Sequence, residues 1–503
     1  MEIFSSIHTL LISLFPCIIL AIFTFVKWVS FHSNTRKNLP PSPTKFPIIG
    51  NLHQLGSSPN RNLQILSQKY GPLMLLHFGS TPTLVASSAE AAKEILKTHD
   101  LSFCSRPSLT MPNILFYGSK GIAFSPYGEY WRQLKSIMVL KLLCNTRVKS
   151  YQKVREDEIG HMIRVLGESC GATIDMGSMF VSLTNNIICR VTLGRKVDVL
   201  KYTNLLRKFT DMLIVFSVGS YIPWLSWVDR VTGLVGRAEK VAKEFDEFLE
   251  GVIEEHVNKN KGEYTESNEG ENFVDILLDL QKNGTPDFTL HRDSIKAIIL
   301  EAFSGGTDTT FTSLEWAMSE LIRNPKVMKK LQQEINEIAQ GRSIISEDDL
   351  EKMTYLKAVL KESLRLHTPA PLLIPRESMQ DIKLMGYDIA AGTQMIINAW
   401  AIGRDPDLWE EANEFRPERF LNNSINYQSS QFEWLPFGAG RRSCPGMQFS
   451  VPAIELALAN IVYKFDVELP NESKKEDLDM TEAVSITAHR KSPLLVSPSP
   501  RFY

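Results

Sequence analysis

Apolar residues recur at three- and four-residue spacing over residues 89–98, 129–143, 237–258, 293–323, 325–339 and 354–366. That spacing gives a helix an apolar face and predicts helices at all of these places. Short β-rich runs are fewer; residues 73–78, 83–86, 382–384, 394–398 and 494–496 predict strands. One polar stretch rich in Gly and Glu, residues 260–272, is long enough to be a linker, and because it falls between helices it predicts a surface loop. With no internal repeat, the expectation is a mainly α fold with a small β portion, carried by a single body over residues 51–503.

Residues 3–26 carry no formal charge. At about 1.5 Å per residue these 24 positions reach roughly 36 Å, enough for a hydrocarbon core of about 30 Å, so residues 1–27 predict one membrane-spanning helix. Pro16 inside it is compatible with lipid, where neighbouring groups re-satisfy a freed carbonyl, and predicts a kink. A cleaved signal peptide is the alternative; Glu2, the lack of Lys or Arg ahead of the run, and its length argue against it. Lys27, Arg36 and Lys37 follow the span, which by the positive-inside bias puts the rest of the chain in the cytosol. Residues 28–50 are basic, then proline-rich at Pro40, Pro41, Pro43 and Pro47. Fixed φ angles and missing amide donors predict a stiff strap that orients the body on the bilayer, although a plain spacer or an SH3-type ligand has the same composition.

Lys plus Arg total 55 against 57 Asp plus Glu, a formal charge of -2. This leaves no basic excess for nucleic acid, and any basic surface must be local. The cysteines are Cys17, Cys104, Cys144, Cys170, Cys189 and Cys444, with no C-x-x-C pair among them. Neither a zinc knuckle nor a disulfide framework is suggested, and a reducing compartment fits.

Cys444 differs from the others in its surroundings, Phe437-Gly438-Ala439-Gly440-Arg441-Arg442-Ser443-Cys444-Pro445-Gly446. A Cys thiolate bound axially to haem pushes electron density toward iron and favours O–O cleavage. Gly438, Gly440 and Gly446 would let backbone approach a flat macrocycle and leave amides to tune the sulfur, while Arg442 can neutralise a propionate. A Gly-rich turn around an inert cysteine is one alternative. A dinucleotide loop is another, but Ser443 stands where the third Gly of G-x-G-x-x-G belongs. The segment resembles the cysteine loop of the cytochrome P450 family, F-x-x-G-x-R-x-C-x-G, matched at Phe437, Gly440, Arg442, Cys444 and Gly446. The resemblance implies the family's fold and haem b with Cys444 as axial iron ligand. The Pro-rich strap, residues 127–132 and residues 415–420 look most like plant microsomal members of family 71.

Within predicted helix 293–323, Ser304-Gly305-Gly306-Thr307-Asp308-Thr309-Thr310 places adjacent glycines mid-helix, costing about 1 kcal/mol each relative to Ala. The missing side chains make room and let the hydrogen-bond ladder open locally. Thr309 can offer a hydroxyl there, and Asp308, about 100° round the helix, can reach outward to recruit protons. A small-residue kink with local Asp and Thr bonding would leave the same trace. The family's central helix carries (A/G)-G-x-(D/E)-T, matched by Gly305, Gly306, Asp308 and Thr309, which implies catalytic roles for Asp308 and Thr309 and a place beside the haem for Gly306.

Glu362 and Arg365 share a predicted helix face and can pair. Phe415-Arg416-Pro417-Glu418-Arg419-Phe420 resembles the family's second arginine segment and implies a buried, structural Glu362–Arg365–Arg419 triad. Trp131-Arg132-Gln133-Leu134-Lys135 resembles W-x-x-x-R, whose ends reach a haem propionate; Lys135 departs from it, keeping the charge and losing the bidentate fork. Arg376 matches another propionate position. Taken alone, Trp131 would be core and Lys135 and Arg376 solvated charges.

No flavin, nicotinamide or iron–sulfur motif is present, so electrons must come from another protein. The resemblance implies NADPH–cytochrome P450 reductase, with cytochrome b5 as a further partner. Arg132, Lys135, Lys141, Arg147 and Arg441 are a candidate docking face or simply a solvated one. Pocket candidates by resemblance are residues 111–117, 213–216, 298–302, 372–374 and 485–487. They are mostly apolar and imply a lipophilic guest such as a terpenoid or a phenolic of coumarin type, though core packing explains them equally. The implied activity is insertion of one oxygen atom from dioxygen into that guest, at the endoplasmic reticulum membrane. A haem-thiolate isomerase or dehydratase, and a non-enzymatic haem protein, are the rivals; Gly305, Gly306, Asp308 and Thr309 together argue against them.

Overall fold

The computed structural model describes residues 38–501 apart from 198, 260–270, 285–287, 422, 424, 428–430, 471–473, 484 and 485. The predicted membrane helix, the first part of the hinge and most of the predicted loop at 260–272 lie outside the described residues. Among the described residues no single helix is long and apolar enough to cross a membrane.

The helices that position the site are α1 (Glu129–Ile137), α2 (Gln152–Glu168), α3 (Met176–Leu193), α4 (Val199–Ile214), α5 (Leu234–Lys259), α6 (Arg292–Arg323), α7 (Pro325–Ala339), α8 (Thr354–Leu366) and α9 (Met447–Lys464). α6 is the axis of the body, packed against α3, α8 and α9. It is buried over most of its length, burying even the charged Lys296, Glu301, Glu315 and Glu320. The Trp316 ring, fully buried, donates from its indole nitrogen to the Ala488 carbonyl at 2.5 Å. α3 shows how its ends are set by sequence: the Asp175 carboxylate accepts from the Gly177 amide at 3.0 Å, and Gly194, at φ 67°, closes the other end.

The strands are β1 (Leu73–Phe78), β2 (Thr81–Ala86), β3 (Ile174–Asp175), β4 (Arg376–Glu377), β5 (Ile382–Leu384), β6 (Tyr387–Ile389), β7 (Gln394–Ile397), β8 (Phe465–Glu468) and β9 (Leu495–Pro500). One sheet runs in the order β1-β2-β7-β4, and smaller ones in the orders β3-β9-β8 and β5-β6. β1 and β2 form a tight antiparallel pair from Leu73–Ala86 to Phe78–Thr81. β2 then pairs in parallel with β7, Val85 opposite Ile396, and β7 holds β4 so that Arg376 lies opposite Met395. The described part of the proline strap is docked on this sheet: the Leu75 amide donates to the Pro41 carbonyl at 2.9 Å, and the Asn38 amide group donates to the Gly386 carbonyl at 2.7 Å.

The predicted helices are found, two of them with an altered end. Residues 89–98 and 129–143 begin as α-helix and finish as wider turns in which His99 bonds to Glu94 and Leu143 to Met138. β2 starts two residues earlier than predicted, and Asn398 leaves the β7 strand to cap a short turn, accepting from the Ala401 amide at 3.1 Å. The helices α2, α3, α4 and α9 were not predicted. In α3 and α9 the buried positions run around most of the helix, so no apolar stripe with a period near 3.6 stands out.

Candidate active site

The cysteine loop leads directly into α9. Its turns are closed by Gly438 N to Leu435 O at 3.1 Å, Ser443 N to Gly440 O at 3.1 Å and Cys444 N to Phe437 O at 3.0 Å. Gly440 sits at φ 71°, and an added Cβ would lie 2.4 Å from the Leu96 carbonyl oxygen and 2.5 Å from Asp100. Gly440→Ala is therefore expected to cost about 2–3 kcal/mol from clash plus backbone strain, read as a lower denaturation midpoint. Gly386→Ala, at φ 84° in open space, should lose only about 1 kcal/mol.

A cavity of about 330 Å³ opens beside Cys444. The Cys444 sulfur opens on this cavity from its protein-packed base. Burial pushes the thiol up; the amides of Gly446 and Met447 and the charge of Lys135 oppose this. A coordinated metal would reverse the balance, since it deprotonates a thiol outright.

Phe437, Gly438, Arg442, Cys444, Gly446, Trp131, Lys135, Arg376, Gly306 and Thr309 all line this one cavity. α1 supplies Trp131, whose indole donates to the Ile122 carbonyl at 3.0 Å, and Lys135, whose ammonium donates to the Ser443 carbonyl at 3.0 Å. Arg442 lies over the Trp131 ring at 4.2 Å and donates to the carbonyls of Cys104, Ile122 and Ser125. β4 presents Arg376 to Asp100 at 3.0 Å and to the Ala439 carbonyl at 2.7 Å.

Two further charged residues matter here: Arg106 was not identified from sequence, and Glu301 entered only as one position of the pocket run 298–302. Arg106 is buried and donates to the carbonyls of Ala123, Ile374 and Pro375, each at 2.7 Å. Glu301, on α6, accepts from the amides of Ile122 and Ala123 at 2.7 and 2.8 Å, and burial pushes its carboxyl up to about 7. Glu301 had a signal, a lone charge within the apolar run 298–302 and one turn before Gly305. Arg106 had none, because its partners come from distant segments.

Arg106, Arg376, Arg442 and Lys135 thus face a space where the nearby anions are Asp100 and Glu301. Burial first, and then the neighbouring Arg376, draw Arg442 down to about 10, against the opposing pull of nearby anionic groups. Haem carries two propionates, so the lining fits it: an apolar slot, surplus positive charge and one available sulfur. Among the described residues no group of three or more His, Cys, Asp or Glu that could hold a metal ion comes together.

On α6 the helix runs unbroken through residues 304–310. In place of an opened ladder, the Thr309 hydroxyl donates to the Gly305 carbonyl at 2.6 Å. Gly305 meets no neighbouring group, whereas a Cβ on Gly306 would strike Ile188 of α3 at 2.5 Å. The first glycine leaves space and the second permits close packing. Asp308 is turned away from the cavity, with the Thr487 hydroxyl donating to its carboxylate.

Of the apolar pocket candidates, Glu301, Ala302, Leu373 and Ile374 line the cavity. Met111, Leu115 and Phe116 are in the core instead, Phe116 edge-on to Phe209 at 5.1 Å. Ser485 lies outside the described residues. Of the candidate basic face, Arg132 pairs with Glu129, Arg147 with Glu271 and Arg441 with Asp100, Lys141 is exposed, and Lys135 points inward. The Glu362–Arg365–Arg419 triad is assembled on the far end of α8, with Glu362 to Arg365 at 2.7 Å and to Arg419 at 3.0 Å.

A family model described as cytochrome P450 matches residues 40–495. The chain is 62% identical over 497 residues to cytochrome P450 Tp4149 of Tanacetum parthenium, covering 99% of each. It is 53% identical to cytochrome P450 71A4 of Solanum melongena, covering 97% of this chain and 98% of that one, and 49% identical to psoralen synthase of Ammi majus, covering 97% of both. A solved zebra fish cytochrome P450 with abiraterone shares the fold at a TM-score of 0.76, over 89% of this chain and all of that one, at 24% identity. A match of this extent, with relatives this similar along their whole length, leaves one assignment: the chain belongs to the cytochrome P450 family of haem-thiolate monooxygenases.

Proposed function

We propose that this chain uses haem held by Cys444 to insert one oxygen atom into a lipophilic plant specialised metabolite of terpenoid or phenolic type, with electrons from NADPH through cytochrome P450 reductase. One observation carries the reading: the Cys444 sulfur and the Thr309 hydroxyl open on the same cavity, beside four cations, Arg106, Arg376, Arg442 and Lys135, that outnumber the carboxylates Asp100 and Glu301 near them. Bound haem would supply the activation of dioxygen. Arg106, Arg376, Arg442 and Lys135 would hold its propionates, and Trp131 would stack against Arg442 and keep that guanidinium in place.

The chain's own chemistry is then proton supply and exclusion of water. Thr309 offers a hydroxyl inside the cavity, and its bond to the Gly305 carbonyl holds it in one orientation. Asp308, one residue away and half-buried, provides an acid next to it. The mostly apolar lining around Ala302, Leu373 and Ile374 suits a guest held by shape with few polar contacts. Relatives named 3-beta-hydroxylase, norfluorocurarine oxidase and psoralen synthase support a specialised metabolite as substrate.

Attachment to the endoplasmic reticulum membrane through residues 1–27, with the body in the cytosol, is part of the proposal. It is supported by exposed apolar residues near the docked strap. Phe46, Ile48, Trp224 and Trp227 are each more than half exposed, and the turn at Gly79 and Ser80 ties them together by bonds to the Ile49 and Tyr221 carbonyls at 3.1 and 3.0 Å. Tryptophan favours a membrane–water interface.

Oxygen consumption by the purified protein should require both NADPH and reductase; product formed without either would end the monooxygenase reading. Thr309→Ala is expected to keep haem and substrate binding while raising the peroxide formed per product severalfold, consistent with the ~10²–10⁴-fold usually contributed by a positioned proton donor. Unchanged coupling would remove Thr309 from the proton path.

A further inference from the structure

Asp308 is held by a contact outside the cavity. Its partner Thr487 is buried in the carboxyl-terminal segment that packs along α6. The backbone there is folded back on itself, with the His489 amide donating to the Thr487 carbonyl at 2.9 Å. The His489 ring lies 6.4 Å from Phe311 of α6, and its Nδ1 is buried with no hydrogen-bond partner among the described residues. The titratable groups facing Asp308 are therefore His489 on this segment and Asp211 on α4. Burial raises the Asp308 carboxyl above the usual range and Asp211 adds to this, while the Thr487 hydrogen bond and His489 oppose it.

We propose that Thr487 is a positioning residue that holds the Asp308 carboxylate away from the cavity and so governs when this acid delivers a proton toward Thr309. The inference rests on the reading of Asp308 and Thr309 as the proton-supplying pair. The step is a proton transfer alone. A proton from solvent is taken up by the Asp308 carboxylate, the bond donated by Thr487 is lost, and the neutral acid swings free to pass the proton toward the Thr309 hydroxyl. The carboxylate left behind regains the bond from Thr487. Ionised, Asp308 is a pure acceptor that matches the Thr487 donor; protonated, it no longer needs one.

The test uses the full-length, haem-loaded enzyme with Thr487→Val, which keeps the shape, and Thr487→Ser, which keeps the hydroxyl. The first readout needs no turnover: the infrared C=O stretch of the protonated Asp308 carboxyl, assigned by its absence in Asp308→Asn, is followed against pH in the resting protein. Losing a hydrogen bond to the ionised form makes ionisation harder, so the midpoint should rise by about one pH unit in the valine variant and return in the serine variant. The peroxide-to-product ratio plotted against pH should move the same way. A valine variant with wild-type midpoint and pH profile, or a serine variant that restores neither, overturns the proposal. If Asp308→Asn raises the ratio while the valine variant is silent, the proposal falls alone. If Asp308→Asn leaves the ratio unchanged, the underlying proton-pair reading falls and takes the proposal with it.

Discussion

Cys444→Ser is expected to lower monooxygenation by on the order of a thousandfold or more while leaving a folded protein. The hydroxyl is a far weaker donor to iron than a thiolate and cannot push electron density toward bound oxygen. The loop itself does not need the sulfur: its turns are closed by backbone bonds, including Cys444 N to Phe437 O. The absorption spectrum of the reduced, carbon-monoxide-bound protein tests this, since the thiolate-specific band should vanish while the denaturation midpoint stays within about 1 kcal/mol of wild type. A serine variant that keeps the band would remove Cys444 from the iron. A second consequence comes from the thiol's raised proton affinity in the haem-free state. Ligation must displace that proton, so loading the apoprotein with haem should acidify a weakly buffered solution.

Removing the Glu362 carboxylate should be the most destabilising single change outside the cavity. Glu362 and Arg365 are both fully buried. Glu362 accepts from Arg365 at 2.7 and 2.8 Å, from the Arg416 amide at 2.8 Å and from Arg419 at 3.0 Å. Arg365 completes its set on the carbonyls of Gly403, Ala412 and Glu414. An exposed pair three residues apart would contribute well under 1 kcal/mol. Here, Glu362→Ala strands a guanidinium in the interior, and a loss of about 3–5 kcal/mol is expected, seen in chemical denaturation and in failure to retain haem. A loss below about 1 kcal/mol would show that water reaches Arg365 and satisfies it. Replacing both residues with apolar ones of similar volume should cost less than the single change, because no unpaired charge is left.

What was legible in the sequence was whatever is local. Phe437 through Gly446 spell out their loop within ten residues, and Gly305, Gly306 and Thr309 fall on one stretch of α6. Helices with a single apolar stripe were found nearly to the residue, as α7 and α8 show. The rest depends on neighbours that sequence spacing does not reveal. Arg106 reaches Ile374 and Pro375 across some 270 positions, and nothing near it in the chain marks it as cavity-lining. The same holds for Asp308, whose pattern signalled an acid but not its partner Thr487. The pairing of the basic positions was hidden for a related reason: Glu129 reaches Arg132 from three residues away, but only the fold brings Glu271 to Arg147 and Asp100 to Arg441.

The parallel pairing of β2 with β7 bears on how the enzyme is made. Thr83 to Ala86 emerge early from the ribosome, yet their partners Gln394 to Ile397 follow some 310 positions later, and Cys444 later still. The sheet that aims Arg376 cannot close, and the propionate-facing cations cannot gather, until nearly the whole polypeptide has been synthesised. Haem capture that needs all of these groups is accordingly expected only once the chain is nearly complete. The nascent amino-terminal half must wait with its future strand edge unpaired, an interval in which exposed strand edges make the chain prone to aggregation.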